Sequence, residues 1–374
     1  MAKIAVGLSG GVDSAVAAAL LKQQGYDVVG VTMSNWDGSL HVEGPMPDSC
    51  YGPCEGESLE AVEEIAKVLD IPYKVFDLSE AYRENIISYF KHEYMCGRTP
   101  NPCVRCNFKM KFGLLFEKAR AELGIDLFAT GHYARIIEEN GKFFLAKALN
   151  TAKDQSYFLQ MLRREWLPHI IFPLGNMTKD EVRETARNFN LPVAEKEESQ
   201  DFMGGNHAVL FDDEVVKEGN IVDESGKVLG RHKGIIHYTV GQRKGIGISN
   251  PKPLFVLRID AGKNEIVVTE KEHLFSEGLE GTELNLLDDI ENPNEFKALV
   301  KIRQKHKECP ATVSILDGGR FKVVFETPQL SVTPGQAVAI YREDGILQGG
   351  GIIEKGFDFC LPRTLFTLGK DPSN

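Results

Sequence analysis

The chain has 374 residues, of which 42% are hydrophobic and 26% charged, values that argue against a disordered or a membrane class. No apolar run approaches the ~20 residues a membrane-spanning helix needs. A net charge of −11 argues mildly against nucleic acid, so any RNA partner must be held by local basic clusters.

The opening residues Met1-Ala2-Lys3-Ile4-Ala5-Val6-Gly7-Leu8 lack the apolar region and cleavage site of a signal peptide, and the chain reads as cytoplasmic, with no membrane partner. Residues 3–8 predict a strand, 15–23 a helix ended by Gly25, and 27–33 a second β-rich run. Helical periodicity follows at 59–69, a strand at 73–77, an amphipathic stretch at 109–123 and an apolar run at 126–130. This alternation predicts an α/β fold, a Rossmann-like parallel sheet that lasts to about Ala134.

Thr178-Lys179-Asp180-Glu181 has the form of a capping box for a helix running toward Asn188. Beyond it the texture changes to short β-branched runs at 255–260, 265–269, 298–302, 321–325 and 337–341, separated by Gly, Asn-Pro and Asp-Gly turns. The expected domains are 1–205, the nucleotide-binding catalytic domain, then a small β-rich domain over 206–276 and a β-barrel over 277–374.

Between the first strand and first helix, at the carboxyl edge of the sheet, stands Leu8-Ser9-Gly10-Gly11-Val12-Asp13-Ser14. Gly10 and Gly11 let the backbone approach an anion, the helix start aims amides at it, and Ser9 and Ser14 add hydroxyls. A tight turn before a helix is the plain alternative. The loop lacks a Walker A ending and the three-glycine dinucleotide fingerprint. It resembles the SGGxDS signature of the PP-loop ATP pyrophosphatases, a likeness that implies ATP cleavage between the α and β phosphates, with Asp13 near Mg²⁺.

The chain carries seven cysteines, an odd number, three of them at Cys96, Cys103 and Cys106. That suits reactive or ligand thiols in a reducing compartment better than a disulfide framework. Pro100 and Pro102 force an extended approach to Cys103-Val104-Arg105-Cys106, two thiols placed ahead of a helix and beside Arg105 for nucleophilic work. Half of a zinc site is the alternative, although no second Cys-x-x-Cys or His pair appears.

Here the resemblance narrows to the tRNA-specific 2-thiouridylases, carried by residues 7–14, 101–107, Ala129-Thr130-Gly131-His132-Tyr133-Ala134-Arg135, Lys153-Asp154-Gln155-Ser156 and 237–245. It implies an adenine nucleotide α-hydrolase type of first domain and 2-thiolation of the wobble uridine of tRNA. It also implies that Gly7, Leu8, Ser9, Gly10, Gly11, Val12, Asp13, Ser14, Met33 and Gly131 contact ATP. Asn101, Pro102 and Cys103 would meet the target base, and Lys153, Asp154 and Gln155 would touch tRNA. Cys106 falls at the nucleophilic thiol, and a cysteine desulfurase or persulfide relay protein would donate sulfur.

Two positions depart from the commoner pattern. Cys103 stands where an aspartate is frequent, and in Glu198-Ser199-Gln200-Asp201-Phe202-Met203 a thioether replaces the persulfide-bearing cysteine, which it cannot imitate. Either Cys103 and Cys106 divide the sulfur chemistry between them, or both bind a [4Fe-4S] cluster with a third thiolate, Cys50 before Cys54.

Lys301, Ile302 and Arg303 open the basic run that ends at Lys307, and with Arg231-His232-Lys233 it supplies candidate tRNA backbone contacts. A solvated strand edge is the plain alternative. The rival functions are a PP-loop ligase acting on a small molecule and an inactive tRNA-binding relative.

Overall fold

The computed structural model describes residues 2–38, 51–52, 55–196, 202, 207–211 and 216–358. Cys50, Cys54, Met203 and residues 197–201 lie outside the described residues, as does the expected domain boundary near 205.

The chain begins with β1 (Lys3–Gly7), α1 (Val12–Gln23), β2 (Asp27–Ser34), α2 (Glu55–Val68) and β3 (Tyr73–Asp77). After a helical excursion come β4 (Leu127–Thr130), the hairpin β5 (Ala134–Glu139) and β6 (Lys142–Lys147), and the two-residue β7 (Ile170–Ile171). The main sheet has the order β3-β2-β1-β4-β7, and every neighbouring pair is parallel. Alternate residues of β1 feed opposite layers, as the period of a strand requires. Ile4 and Val6 pack with Ala15, Leu21 and Val182 on one face. Ala5 joins Phe76, Phe112 and Phe128 on the other.

The parallel pattern does not end at Ala134, because β7 adds a fifth strand beyond the hairpin and the helix Lys179–Asn188 packs against α1. Likewise the helix expected over 109–123 starts earlier, as one continuous run of Pro102–Arg105, Cys106–Leu115 and Phe116–Leu123. Its middle portion is wound as a π-helix.

Strands Phe255–Asp260, Glu265–Thr269, Gly219–Val222 and Val228–His232 form a central four-stranded sheet in that order. Six further strands, Phe275–Leu286, Phe321–Leu330, Cys309–Ile315, Phe296–Lys301, Ala337–Tyr341 and Leu347–Asp358, close into a barrel, which leaves no unpaired sheet edge. Among the described residues no helix is long and apolar enough to cross a membrane.

Candidate functional site

The loop from Ser9 to Ser14 leaves the carboxyl end of β1 and enters α1 with its own hydroxyls folded inward. Ser14 Oγ accepts from the Ser9 amide at 3.1 Å and donates to the Gly11 carbonyl at 3.0 Å. Gly10 has φ +70°, and a Cβ there would stand 2.8 Å from the Ser58 carbonyl oxygen. No other residue suits that corner. The amides at the start of α1 are left to face an incoming anion.

Gly131, at the end of β4, seals the loop from the opposite side. A Cβ on it would lie 2.6 Å from the Asp13 carbonyl carbon and 2.7 Å from the Ser14 nitrogen. Met33 stands near the carboxyl end of β2, the neighbouring strand. Just beyond it the Glu55 carboxylate ties down the exit of β2, accepting from Ser34 Oγ at 2.7 Å and from the Trp36 amide at 3.0 Å. Gly7, Leu8, Ser9, Gly10, Gly11, Val12, Asp13, Ser14, Met33 and Gly131 are thus gathered at one sheet edge, where nucleotides bind in such folds.

Asp13 Oδ1 accepts from Tyr133 Oη at 2.9 Å and from Lys179 Nζ at 2.8 Å, while Lys196 Nζ donates to the Gly10 carbonyl at 3.3 Å. Sequence reasoning passed over all three partners. The recognised capping box fixes Lys179 as the first residue of its helix, and that start was the available signal. The Asp13 carboxylate offers an oxygen ligand beside a loop suited to phosphate, whose own oxygens and water complete the oxygen set Mg²⁺ takes with a nucleotide, so the residues fit that ion.

Contacts lead from Gly131 toward the thiol segment. His132 follows Gly131, shares a 2.7 Å hydrogen bond through Nδ1 with Thr130 Oγ1, and packs against Phe112 with ring centroids 5.9 Å apart. Phe112 belongs to the π-helical portion that Cys106 opens. Burial, reinforced by the Lys111 cation, holds the His132 imidazole well below its ordinary pKa. Asn101 caps the preceding helical turn by accepting from the Val104 amide at 3.3 Å. That turn sets Cys103 and Cys106 three positions apart, neighbours on one helix face. Cys103 is exposed and Cys106 partly buried, and both are thiols rather than disulfides.

Arg105 does not serve these thiols as expected. Its guanidinium turns to the barrel, donating to Glu283 through Nη1 at 2.7 Å and again through Nη2, and stacks on Tyr89 at 4.5 Å. Burial alone would lower its pKa, but the Glu283 carboxylate outweighs that and holds it raised. Further barrel contacts seat the approach to the thiols: the Thr99 amide donates to the Pro334 carbonyl at 2.8 Å, and Gln336 Nε2 donates to the Thr99 carbonyl at 3.0 Å.

Several residues expected to touch tRNA make internal contacts. Asp154 is 3% exposed and accepts from the Ala148 amide and the Ser156 hydroxyl. Lys301 lies buried near it, close enough for their charges to attract, and Ile302 is buried in the barrel. Arg303 Nη2 donates to the Val240 carbonyl at 3.0 Å and to Thr333 Oγ1, tying segment 237–245 to the barrel. The exposed cations of that run are Lys305 and Lys307. Gln155 and Tyr133 bond each other twice through side chain and backbone, and Lys153 is partly exposed. Among the described residues no group of three or more His, Cys, Asp or Glu side chains is arranged to hold a metal ion.

Comparison with known proteins places this geometry in a family. A family model described as "tRNA methyl transferase HUP domain" matches residues 2–203. One described as "tRNA methyl transferase PRC-barrel domain" matches 209–270, and an "Aminomethyltransferase beta-barrel domain" matches 276–353. The tRNA-specific 2-thiouridylase MnmA of Carboxydothermus hydrogenoformans is 45% identical over 361 residues, which span 94% of this chain and 98% of its own. Its counterpart in Geobacter metallireducens is 46% identical over 359 residues, 94% of this chain and 96% of the relative. That of Acetivibrio thermocellus is 43% identical over 362 residues, 94% and 99% of the two chains. These alignments span all three parts of the molecule, and the chain belongs to the tRNA-specific 2-thiouridylase family.

Proposed function

We propose that this protein carries out ATP-dependent 2-thiolation of the wobble uridine of tRNA. The observation that supports the reading is a chain of contacts from the phosphate loop toward the thiol helix: Gly131 lies against Asp13, His132 against Phe112, and Phe112 on the helical run that Cys106 opens. The reading requires one bound nucleoside to meet both ends.

A uridine C2 carbonyl is a poor electrophile with a poor leaving oxygen. In the proposed sequence its O2 attacks the α-phosphate of ATP, pyrophosphate leaves into the Ser9–Ser14 loop, and the loop amides stabilise the departing charge. Magnesium held by Asp13 would neutralise part of that charge. A persulfide on Cys103 then attacks C2 through its terminal sulfur, and AMP departs. Cys106 thiolate attacks the Cys103 sulfur, the old S–S bond breaks to leave the thiocarbonyl, and a Cys103–Cys106 disulfide remains for an external thiol to reduce. Adjacent positions on one helix face suit that exchange. Asn101 and Pro102 would border the base, while partly exposed Lys153 and exposed Lys305 and Lys307 would meet phosphates. The sulfur comes from a persulfide-carrying protein.

The cluster alternative needs a third thiolate, and its first choice, Cys50, lies outside the described residues. Unmodified tRNA, ATP and a persulfide source test the whole reading. Pyrophosphate release should depend on tRNA, 2-thiouridine should appear by mass spectrometry, and Cys106→Ser should lose thiolation. Release stimulated by an amino acid instead of tRNA would overturn it, and stoichiometric iron and sulfide after anaerobic purification would replace the disulfide route with the cluster.

A further inference from the structure

At the nucleotide edge of the main sheet, β2 outruns its neighbour β1. Their pairing ends at Gly7 and Val31, and the Leu8 amide donates to the Val31 carbonyl at 2.8 Å. Beyond that pair β1 bends into the phosphate loop, while β2 continues to Ser34 alongside β3. Successive residues of a strand turn their backbone groups to opposite neighbours. The Val31 carbonyl faces β1, and the Ser34 carbonyl, which accepts from the Leu78 amide at 3.0 Å, faces β3. The N–H and C=O of Met33 therefore point to the side that β1 has left, and among the described residues neither has a backbone partner there. A donor and an acceptor side by side match N1 and the N6 amino group of adenine. Guanine presents an N1–H and a carbonyl O6, the reverse order.

The residues after Met33 are held from α2. Glu55, in the first turn of that helix, accepts through Oε1 from the Asn35 and Trp36 amides, at 2.5 and 3.0 Å, and through Oε2 from Ser34 Oγ at 2.7 Å. One carboxylate thus fixes three successive residues, and the helix start favours its charge. Three positions along the same helix the Ser58 carbonyl oxygen closes on Gly10, 2.8 Å from where a Cβ would stand. The start of α2 therefore borders both the phosphate loop and the end of β2. An anchor that only joins helix to strand is the plain account of Glu55. Pairing with β3 and the Leu78 amide already hold Ser34, however, and the carboxylate places its bonds just past the open Met33 edge.

Resting on the ATP-binding reading of the loop, we propose that Glu55 is a positioning residue that sets the base selectivity of the nucleotide site. By clamping Ser34, Asn35 and Trp36 it holds the Met33 edge in the orientation that pairs with adenine. In that orientation guanine meets N–H with N–H and carbonyl with carbonyl, which leaves both pairs of groups unsatisfied. Glu55 acts through the Met33 backbone and not by contact with the base.

Calorimetry on the full chain, with Mg²⁺ and without tRNA, tests this with ATP, GTP and inorganic pyrophosphate as probes. Glu55→Ala should lower the preference for ATP over GTP about 10-fold, the scale of one hydrogen bond to the base, and leave pyrophosphate affinity unaltered. Glu55→Gln can still accept from both amides and donate to Ser34 Oγ, so it should retain the preference. A purely structural role predicts that Glu55→Ala weakens all three ligands together and keeps the preference intact, and that result overturns the proposal. Equal loss of preference in Glu55→Gln and Glu55→Ala overturns it as well. An unsubstituted protein that binds pyrophosphate yet does not distinguish ATP from GTP sinks the proposal alone, whereas one that binds none of the three removes the ATP reading beneath it.

Discussion

Arg105, one of the two residues between the thiols, grips Glu283 of the barrel in a two-pronged ion pair, and the strand backbone at Glu283 adopts φ +54°. A non-glycine residue in the left-handed region marks a place where surrounding structure overrides local preference. Glu283→Gln keeps the shape and removes the charge. With the glutamate partly exposed, the loss of stability should be modest, about 1–2 kcal/mol by denaturant unfolding. Thiolation should drop several-fold while tRNA-dependent pyrophosphate release persists, because the change moves the thiols and not the phosphate loop.

Gly131→Ala attacks the loop from behind. Its new methyl would sit 2.6 Å from backbone of Asp13, which cannot step aside as a flexible side chain does. Displacing reacting groups by about 1 Å costs on the order of 100-fold in rate. Pyrophosphate release should therefore fall by roughly that factor, whereas alkylation of Cys103 should proceed at the parent rate.

The thiols differ sharply in exposure. Cys309 is buried in the barrel, donates to the Val300 carbonyl at 3.4 Å, and its pKa is pushed up by burial to about 12. Iodoacetamide at pH 8.5 should label exposed Cys103 and spare Cys309 until denaturant is added. Peptide mass spectrometry reads the outcome, since attack requires the thiolate.

His132 makes stability depend on pH in a definite direction. Its imidazole is held well below 6.5 by burial, so the unfolded chain takes up the proton first as pH falls. Stability is complete above about pH 6.5 and declines below it, by at most ~1.4 kcal/mol per pH unit for this one group. Burial shifts His232, His237 and His306 the same way. Consequently His132→Gln should flatten, without abolishing, the loss between pH 7 and pH 5.5 in urea titrations.

The phosphate loop, the Thr178 capping box and the strands at 73–77 and 337–341 were legible because each is written in contiguous residues. β7 was not, since two isoleucines carry no periodicity and are recruited only by pairing with Phe128 and Ala129. Lys179 escaped notice for a related reason: a lysine at a helix start looks solvated until the fold brings Asp13 to it. The basic run from Lys301 is less exposed than its charge alone suggests. Charge in sequence suggested an RNA face, but strand pairing with Ala339 turns Lys301 inward beside Asp154, and Arg303 is spent on the domain junction.

The barrel's hold on the thiol segment makes the order of synthesis matter. Thr99 is bonded by Gln336, 237 residues downstream, and Arg98 is paired with Glu354. A ribosome delivers the nucleotide half long before it delivers those partners, and domains fold as they emerge. The growing polypeptide thus gains its glycine-rich loop early, while the Cys103–Cys106 segment stays unseated until translation has passed the last barrel strand.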